Sequence, residues 1–276
     1  MLEERVDLPY GVKETQFFSN YYDRGIDWYA RHFRYATGTR PVAEICPTYF
    51  FKTEALERIK IHLPNCRIIA TLRDPVERVY SVYKMVRHFA FVRSGTFDEV
   101  LAVQPQLGGG NRYAFHLKAW FQTFGRENVL VTMYDELRAH PQSYLDRVTD
   151  FMGVERIALS ARPEIGDNVY SFARAPKSRR LARRATTVMY WLNAHQAYGV
   201  VNLLGAKGIW DFCHGRGELF SPLTPEQEMR LRRRYLPEVE AVEELLRIDL
   251  SAWKKPRAPR VIEPSPARPL ERLANG

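Results

Sequence analysis

Arg73 and Ser81 stand eight residues apart across a strand-to-helix junction, Cys66-Arg-Ile-Ile-Ala-Thr-Leu-Arg-Asp-Pro-Val-Glu-Arg-Val-Tyr-Ser-Val-Tyr83, and offer a cation and a hydroxyl to one anion. A guanidinium binds phosphate oxygens through charge-assisted bonds, a serine adds a donor, and a helix N-terminus contributes backbone N–H groups that have no partner within the helix. The same residues also admit an ordinary reading. Arg73 would then be solvated or paired with Asp74 or Glu77, and Ser81 would be a serine tolerated on a helix surface.

The elements that must position these groups are well marked. Ile68 to Leu72 is a short apolar run rich in β-branched residues, which predicts a buried parallel strand. Asp74 then reads as an N-cap, Pro75 suits the first helical position, and Glu77 completes a capping-box variant. Upstream, Gly25 to Phe33 reads as a short helix, Val42 to Cys46 as a strand, and Thr53 to His62 as a helix that Pro64 ends. Downstream, Gly108 to Gly110 breaks the pattern before a helix over Arg112 to Phe124. A strand over Val129 to Met133 follows, and a helix over Gln142 to Met152 stops at Gly153. Strand, helix, strand in repetition predicts an α/β fold with a mainly parallel central sheet.

Beyond Arg162 the pattern loosens into a basic, irregular stretch, Arg174 to Arg180, and then a segment rich in Tyr, Trp and Gly. Thr224-Pro-Glu-Gln227 caps a long helix reaching about Ile248. Residues 1–253 read as one domain. Residues 254–276, dominated by proline and charge, read as a disordered basic tail.

The chain has 276 residues, 45% of them hydrophobic, enough to bury a substantial core. Forty-one Lys and Arg against 32 Asp and Glu give a formal charge of +9, which favours anionic ligands, acidic polymers or membrane headgroups. Zinc-finger spacing and RNP-type aromatic motifs are lacking, so no specific nucleic-acid partner is expected. Cys46, Cys66 and Cys213 are odd in number and far apart, which points to buried thiols in a reducing compartment rather than to disulfides or a metal site. No apolar run reaches the length of a membrane span, and the chain reads as soluble and cytoplasmic.

Three blocks in order resemble the sulfotransferases that use 3′-phosphoadenosine 5′-phosphosulfate, especially the heparan-sulfate-type enzymes and their bacterial relatives. The first is Lys13-Glu-Thr-Gln-Phe-Phe18 with Tyr21-Tyr22 and Gly25-Ile-Asp-Trp-Tyr29, and the second is Glu44-Ile-Cys-Pro-Thr-Tyr49. The third is the junction at Cys66 to Tyr83. Arg247-Ile-Asp-Leu-Ser-Ala-Trp253 resembles the close of the bacterial domain.

The resemblance implies a three-layer, P-loop-NTPase-like sulfotransferase fold and an enzyme that moves a sulfuryl group in line to a hydroxyl or amine acceptor, possibly on a glycan. It implies Glu14 as catalytic base, and Arg73 and Ser81 as the grip on the donor's 3′-phosphate. Lys177 and Arg179 match a basic loop over the donor, for which a solvated charge run is the alternative. Lys13, Gln16 and Tyr113 fall at substrate-binding positions, and core packing is an equal account of Tyr113. A loop rich in aromatic residues would also raise the Glu14 pKa by desolvation, whereas a surface pair with Lys13 is the alternative without the family match. The implied partners are the phosphosulfate donor as co-substrate and its bisphosphate product. No metal and no tightly bound cofactor are implied.

The chain departs from the family pattern in three places. The phosphosulfate loop, a Pro-Lys-x-Gly-Thr-Thr-like turn, normally lies a few tens of residues before the glutamate, and only 13 residues precede Glu14. The resemblance therefore implies that the first strand–loop–helix unit lies upstream of Met1, and that this chain alone is inactive or weak. Pro176-Lys-Ser178 lacks glycine and is no substitute for that loop. Ile45 stands where the heparan-type enzymes carry lysine, and Met85 where the N-sulfotransferases carry histidine. Two rival readings remain: a non-catalytic relative that binds adenosine 3′,5′-bisphosphate or an anionic glycan, and a basic nucleic-acid or membrane-surface binder.

Overall fold

In chain order the elements of the computed structural model are α1 (Phe17–Asn20), α2 (Ile26–Ala30), α3 (Thr53–His62), β1 (Ile68–Leu72), α4 (Pro75–His88), α5 (Phe97–Val103), α6 (Tyr113–Phe124) and β2 (Val129–Met133). They continue with α7 (Tyr134–Ala139), α8 (Pro141–Met152), α9 (Arg179–Ala194), α10 (Tyr198–Ala206), α11 (Ile209–His214), α12 (Pro225–Leu246) and α13 (Ser251–Lys254). The structure describes residues 5–93, 95–159 and 172–256. The described chain divides into two units, one drawn from Met1–Arg73 and Tyr113–Ile165, the other from Asp74–Arg112 and Gly166–Gly276.

The first unit is built on β1 and β2, which pair in parallel with Ile68 opposite Val129, Ala70 opposite Val131 and Leu72 opposite Met133. Both strands have the bounds that their apolar runs predict. The sheet is narrower than expected, with two strands among the described residues. Thr71 and Thr132 join hydroxyls across it at 3.0 Å, and Thr71 also meets the Tyr144 hydroxyl of α8 at 2.8 Å. Helices α6, α7 and α8 pack on β2, and α3 packs on α6. Gly153, with φ of 73°, ends α8 in the left-handed conformation that glycine adopts without steric cost.

The expected strand over Val42 to Cys46 is not formed. Asp7 and Val42 make a single parallel bridge, and the chain then runs as loop into a 3-10 helix at Pro47–Phe51. The apolar letters there are misleading, because Val42 and Ile45 are exposed while the polar Glu44 carries the long-range bonds.

The second unit has its core between α4, α5 and α12, where Val76, Val79, Tyr83, Val86, Phe97, Val100, Leu231 and Tyr235 are buried together. Thr224 and Gln227 form the reciprocal capping box expected at the start of α12. The stretch expected to be irregular after Arg174 is helical from Arg179. Ser178 caps α9 by accepting the Leu181 N–H, and α10 and α11 follow in quick succession. Of the expected tail, Lys254 closes α13 and residues 257–276 lie outside the described residues.

Candidate functional site

The first candidate residues lie in one loop. Lys13, Glu14, Thr15 and Gln16 precede α1, whose Phe17 and Phe18 are fully buried. Phe17 stacks on Tyr29 with centroids 4.9 Å apart, and Phe18 meets Tyr49 edge-on at 5.6 Å. These rings anchor the loop from one end.

A carboxylate anchors it from the side. Oε1 of Glu44 accepts the Thr15 backbone N–H at 3.0 Å, the Thr15 hydroxyl at 2.5 Å and the Tyr49 hydroxyl at 3.0 Å, while Oε2 accepts the Tyr29 hydroxyl at 3.1 Å. Four donors on one carboxylate form a charge-assisted network that fixes the backbone beside Glu14. Burial raises the Glu44 carboxyl pKa, and the bonds from Thr15, Tyr49 and Tyr29 oppose that rise by favouring the charged form.

Glu14 itself is half-buried. Desolvation pushes its pKa above the usual carboxylate value, the neighbouring Lys13 ammonium opposes the shift, and the negative charge of Glu44 adds to it. Lys13 is exposed, so solvent and salt weaken its opposition. Gln16 takes a left-handed conformation, φ 54°, and its side-chain oxygen accepts from Asn20 at 2.7 Å. Cys46, beyond Glu44, has its thiol pKa pushed up to about 11 by burial, so it stays a neutral neighbour.

Arg73 leaves the end of β1, and its guanidinium lies 5.0 Å from the centre of the Tyr134 ring. Tyr113, the first residue of α6, is 3% exposed, and its hydroxyl donates to the Arg73 carbonyl at 2.7 Å. Tyr113 is thus packed in the core of the first unit and holds the backbone from which Arg73 projects. The indole of Trp120, two turns further on α6, donates to the Phe50 carbonyl at 3.0 Å.

In the second unit, Asp74 Oδ1 caps α4 by accepting the Val76 N–H at 2.9 Å, as the sequence predicts. Its other oxygen is held at 2.7 Å by Arg232 of α12. Ser81 lies half-buried on α4, two turns in. Arg78 donates to Asn111 at 2.8 Å, and Asn111 donates to the Pro75 carbonyl at 2.8 Å, which steadies the helix start. Lys177 is exposed, just after the antiparallel bridge between Arg174 and Leu219. Arg179 points back into its own unit, with Nε donating to the Val92 carbonyl at 3.1 Å.

The structure therefore joins Lys13, Glu14 and Gln16 in one loop and ties Tyr113 to Arg73, while Ser81, Lys177 and Arg179 belong to the second unit. Sequence reasoning did not single out Glu44, Thr15, Tyr29 and Tyr49. The signal was available, because Glu44 opens and Tyr49 closes the second recognised block, and Thr15 and Tyr29 sit in the first. Among the described residues there is no group of three or more His, Cys, Asp or Glu that could hold a metal, and no helix is long and apolar enough to cross a membrane.

The family model of the sulfotransferase domain matches residues 4–168, which include the whole Glu14 loop, Glu44 and the Arg73 to Ser81 junction. The human bifunctional heparan sulfate N-deacetylase/N-sulfotransferase 3 is 32% identical over 162 residues, 53% of this chain and 19% of that protein. The mouse heparan sulfate glucosamine 3-O-sulfotransferase 6 is 31% identical over 156 residues, 52% of this chain and 44% of that protein. The chain thus spans under half the length of these relatives. A crystal structure of a sulfotransferase from Alicyclobacillus acidocaldarius superposes with a TM-score of 0.64 over 91% of this chain and 89% of that one, at 20% identity, a likeness of fold.

Proposed function

The chain belongs to the sulfotransferase domain family, and from that membership we propose that it transfers a sulfuryl group from 3′-phosphoadenosine 5′-phosphosulfate to an amine or hydroxyl of a glycan. The observation that carries this reading is the Glu14 loop, where a carboxylate of raised pKa precedes Thr15, whose backbone N–H and hydroxyl Glu44 accepts, beside a cluster of aromatic rings. A general base works best when its pKa is shifted up toward the operating pH and its backbone is held in place; burial raises the Glu14 pKa, and Glu44 holds the adjacent Thr15.

In the proposed step Glu14 takes the proton from the acceptor as the acceptor's nitrogen or oxygen attacks sulfur. The bond between sulfur and the 5′-phosphate oxygen breaks, and adenosine 3′,5′-bisphosphate leaves. Arg73 and Ser81 hold its 3′-phosphate, with Lys177 and Arg179 as further donor contacts. Lys13 and Gln16 face the acceptor from the base loop, and Tyr113 serves the site by fixing Arg73. The glycan acceptor follows from the two classes of relative, one named for N- and one for 3-O-sulfation. Ile45 is 47% exposed where those enzymes place a lysine, so that cation is not available to the acceptor here.

Calorimetry with adenosine 3′,5′-bisphosphate, together with transfer of labelled sulfate to glucosamine-containing oligosaccharides, tests the assignment. In a version of the chain to which a phosphosulfate loop has been added, Glu14→Gln should abolish transfer and leave bisphosphate binding intact, and Arg73→Ala should weaken that binding at least tenfold, the order expected for loss of one charge-assisted contact. Equal affinity in wild type and Arg73→Ala would remove Arg73 from the donor site. Transfer by Glu14→Gln at the wild-type rate would remove the base.

A further inference from the structure

We propose that the outer face of α9, α10 and α11 is a peripheral membrane-binding surface for bilayers that carry anionic lipid. The three helices pack on one another. Trp210 of α11 fastens α11 to α10 by donating to the Val201 carbonyl at 2.9 Å. The inner side of α9 is equally fixed, since the buried Thr186 bonds both the Phe89 carbonyl at 3.0 Å and His214 at 2.9 Å. The outward side chains therefore cannot turn into the core without dismantling these contacts.

What points outward is apolar. Trp191 is 59% exposed, Leu203 55% and Phe212 53%, and Leu181, Val188, Val200 and Ile209 are exposed as well. On α9, Leu181, Val188 and Trp191 recur at helical spacing, so they share the solvent face that Arg180 and Arg184 also occupy. Isolated exposed hydrophobics are common, but a run of them over three consecutive, mutually packed helices marks a binding surface.

The charge pattern selects the occupant. Residues 179–216 contain six Lys and Arg and one acidic residue, Asp211. Arg180, Arg183, Arg184, Lys207 and Arg216 are all exposed. Arginines set among apolar side chains, with a tryptophan on the same face, match the two layers of a bilayer interface. The rings and aliphatic groups enter the acyl boundary, while the guanidinium groups reach out to phosphate headgroups. A second copy of this chain would bring the same positive charge to the contact and repel it. The surface is independent of the transfer reaction and of any acceptor assigned to it.

Flotation of the full chain with phosphatidylcholine vesicles, with and without phosphatidylglycerol, tests the proposal. Binding is expected to the anionic vesicles and to weaken as salt rises. The triple variant Arg180→Gln, Arg183→Gln, Arg184→Gln should lose on the order of a hundredfold in partitioning. The pair Val200→Glu, Leu203→Glu should abolish it, with unchanged circular dichroism because all five side chains are exposed. No binding to anionic vesicles, or equal binding by wild type and both variants, would overturn the assignment. So would a dimer in sedimentation velocity that the Val200→Glu, Leu203→Glu pair dissolves without any vesicle binding in the wild type.

Discussion

Glu44 grips Thr15 twice, accepting its backbone N–H at 3.0 Å and its hydroxyl at 2.5 Å. Thr15 follows Glu14 directly, so the backbone of the candidate base is set by a carboxylate 30 residues further along the chain. The same carboxylate, through its charge, helps keep the Glu14 proton affinity high.

Glu44→Ala removes the acceptor for four donors, of which the Thr15 groups are buried. Stranding buried donors costs about 1–3 kcal/mol, so denaturant melts should show the variant less stable by that amount. Transfer should fall more steeply than stability, with kcat reduced and bisphosphate affinity kept, because Glu44 positions the base and not the donor. A loss confined to donor affinity would contradict this role.

The pH profile follows from the sign of the Glu14 shift. A base works only when ionised, so kcat/KM falls as pH drops through its pKa, and a raised pKa places that acid limb above the ordinary value of 4.5. Lys13→Gln removes the charge that opposes the shift, and the limb should move to higher pH. Rate measurements across pH at low ionic strength, where an exposed lysine acts most strongly, give the direction. A limb that moves downward would mean that another group is titrating.

Asp74 and Arg232 are both buried, and the pair ties the start of α4 to α12. Arg232 also donates to the Trp253 carbonyl at 2.7 Å and to Glu228 at 3.0 Å. Arg232→Met takes the Arg232 guanidinium away from the buried Asp74 carboxylate, a loss of about 3–5 kcal/mol. Adding Asp74→Asn removes that charge while keeping a side chain able to cap Val76. Thermal melts should place the double variant above Arg232→Met, and a double variant no more stable than the single would show that the bond to Trp253, rather than the ion pair, holds α12.

The legible parts of the fold were those where local sequence and tertiary role agree. β1 and β2 lie where their apolar runs predict, although Ile69 and Thr71 of β1 are exposed; α12 forms its capping box as read, while Asp74 caps α4 through the Val76 N–H rather than through a capping box with Glu77. Val42 to Cys46 was misread because its apolar letters face solvent while Glu44 spends its interactions on side chains, which no periodicity reports. α9 was missed for the opposite reason. Ser178 has Leu181, not Glu or Gln, at the third helical position, and Arg179, Arg180, Arg183 and Arg184 crowd the first two turns, so an amphipathic helix reads as a run of charge. The base loop was found through resemblance, whereas its network required geometry, since Thr15, Tyr29, Glu44 and Tyr49 converge from three separate segments.

Gly217 controls the backbone that leads to Lys177. Its N–H donates to the Ala175 carbonyl at 2.8 Å, and a Cβ at this position would collide with that carbonyl and with the Pro176 backbone. Main-chain atoms cannot swing aside as a side-chain tip does, so Gly217→Ala must displace the segment from Ala175 to Lys177. If Lys177 contacts the donor, this variant and Lys177→Ala should each weaken adenosine 3′,5′-bisphosphate binding. The two combined should be no worse than either alone, because each removes the same contact. Calorimetry on the three variants decides the matter, and undiminished affinity in Gly217→Ala, with melting lowered, would leave Lys177 a solvated charge.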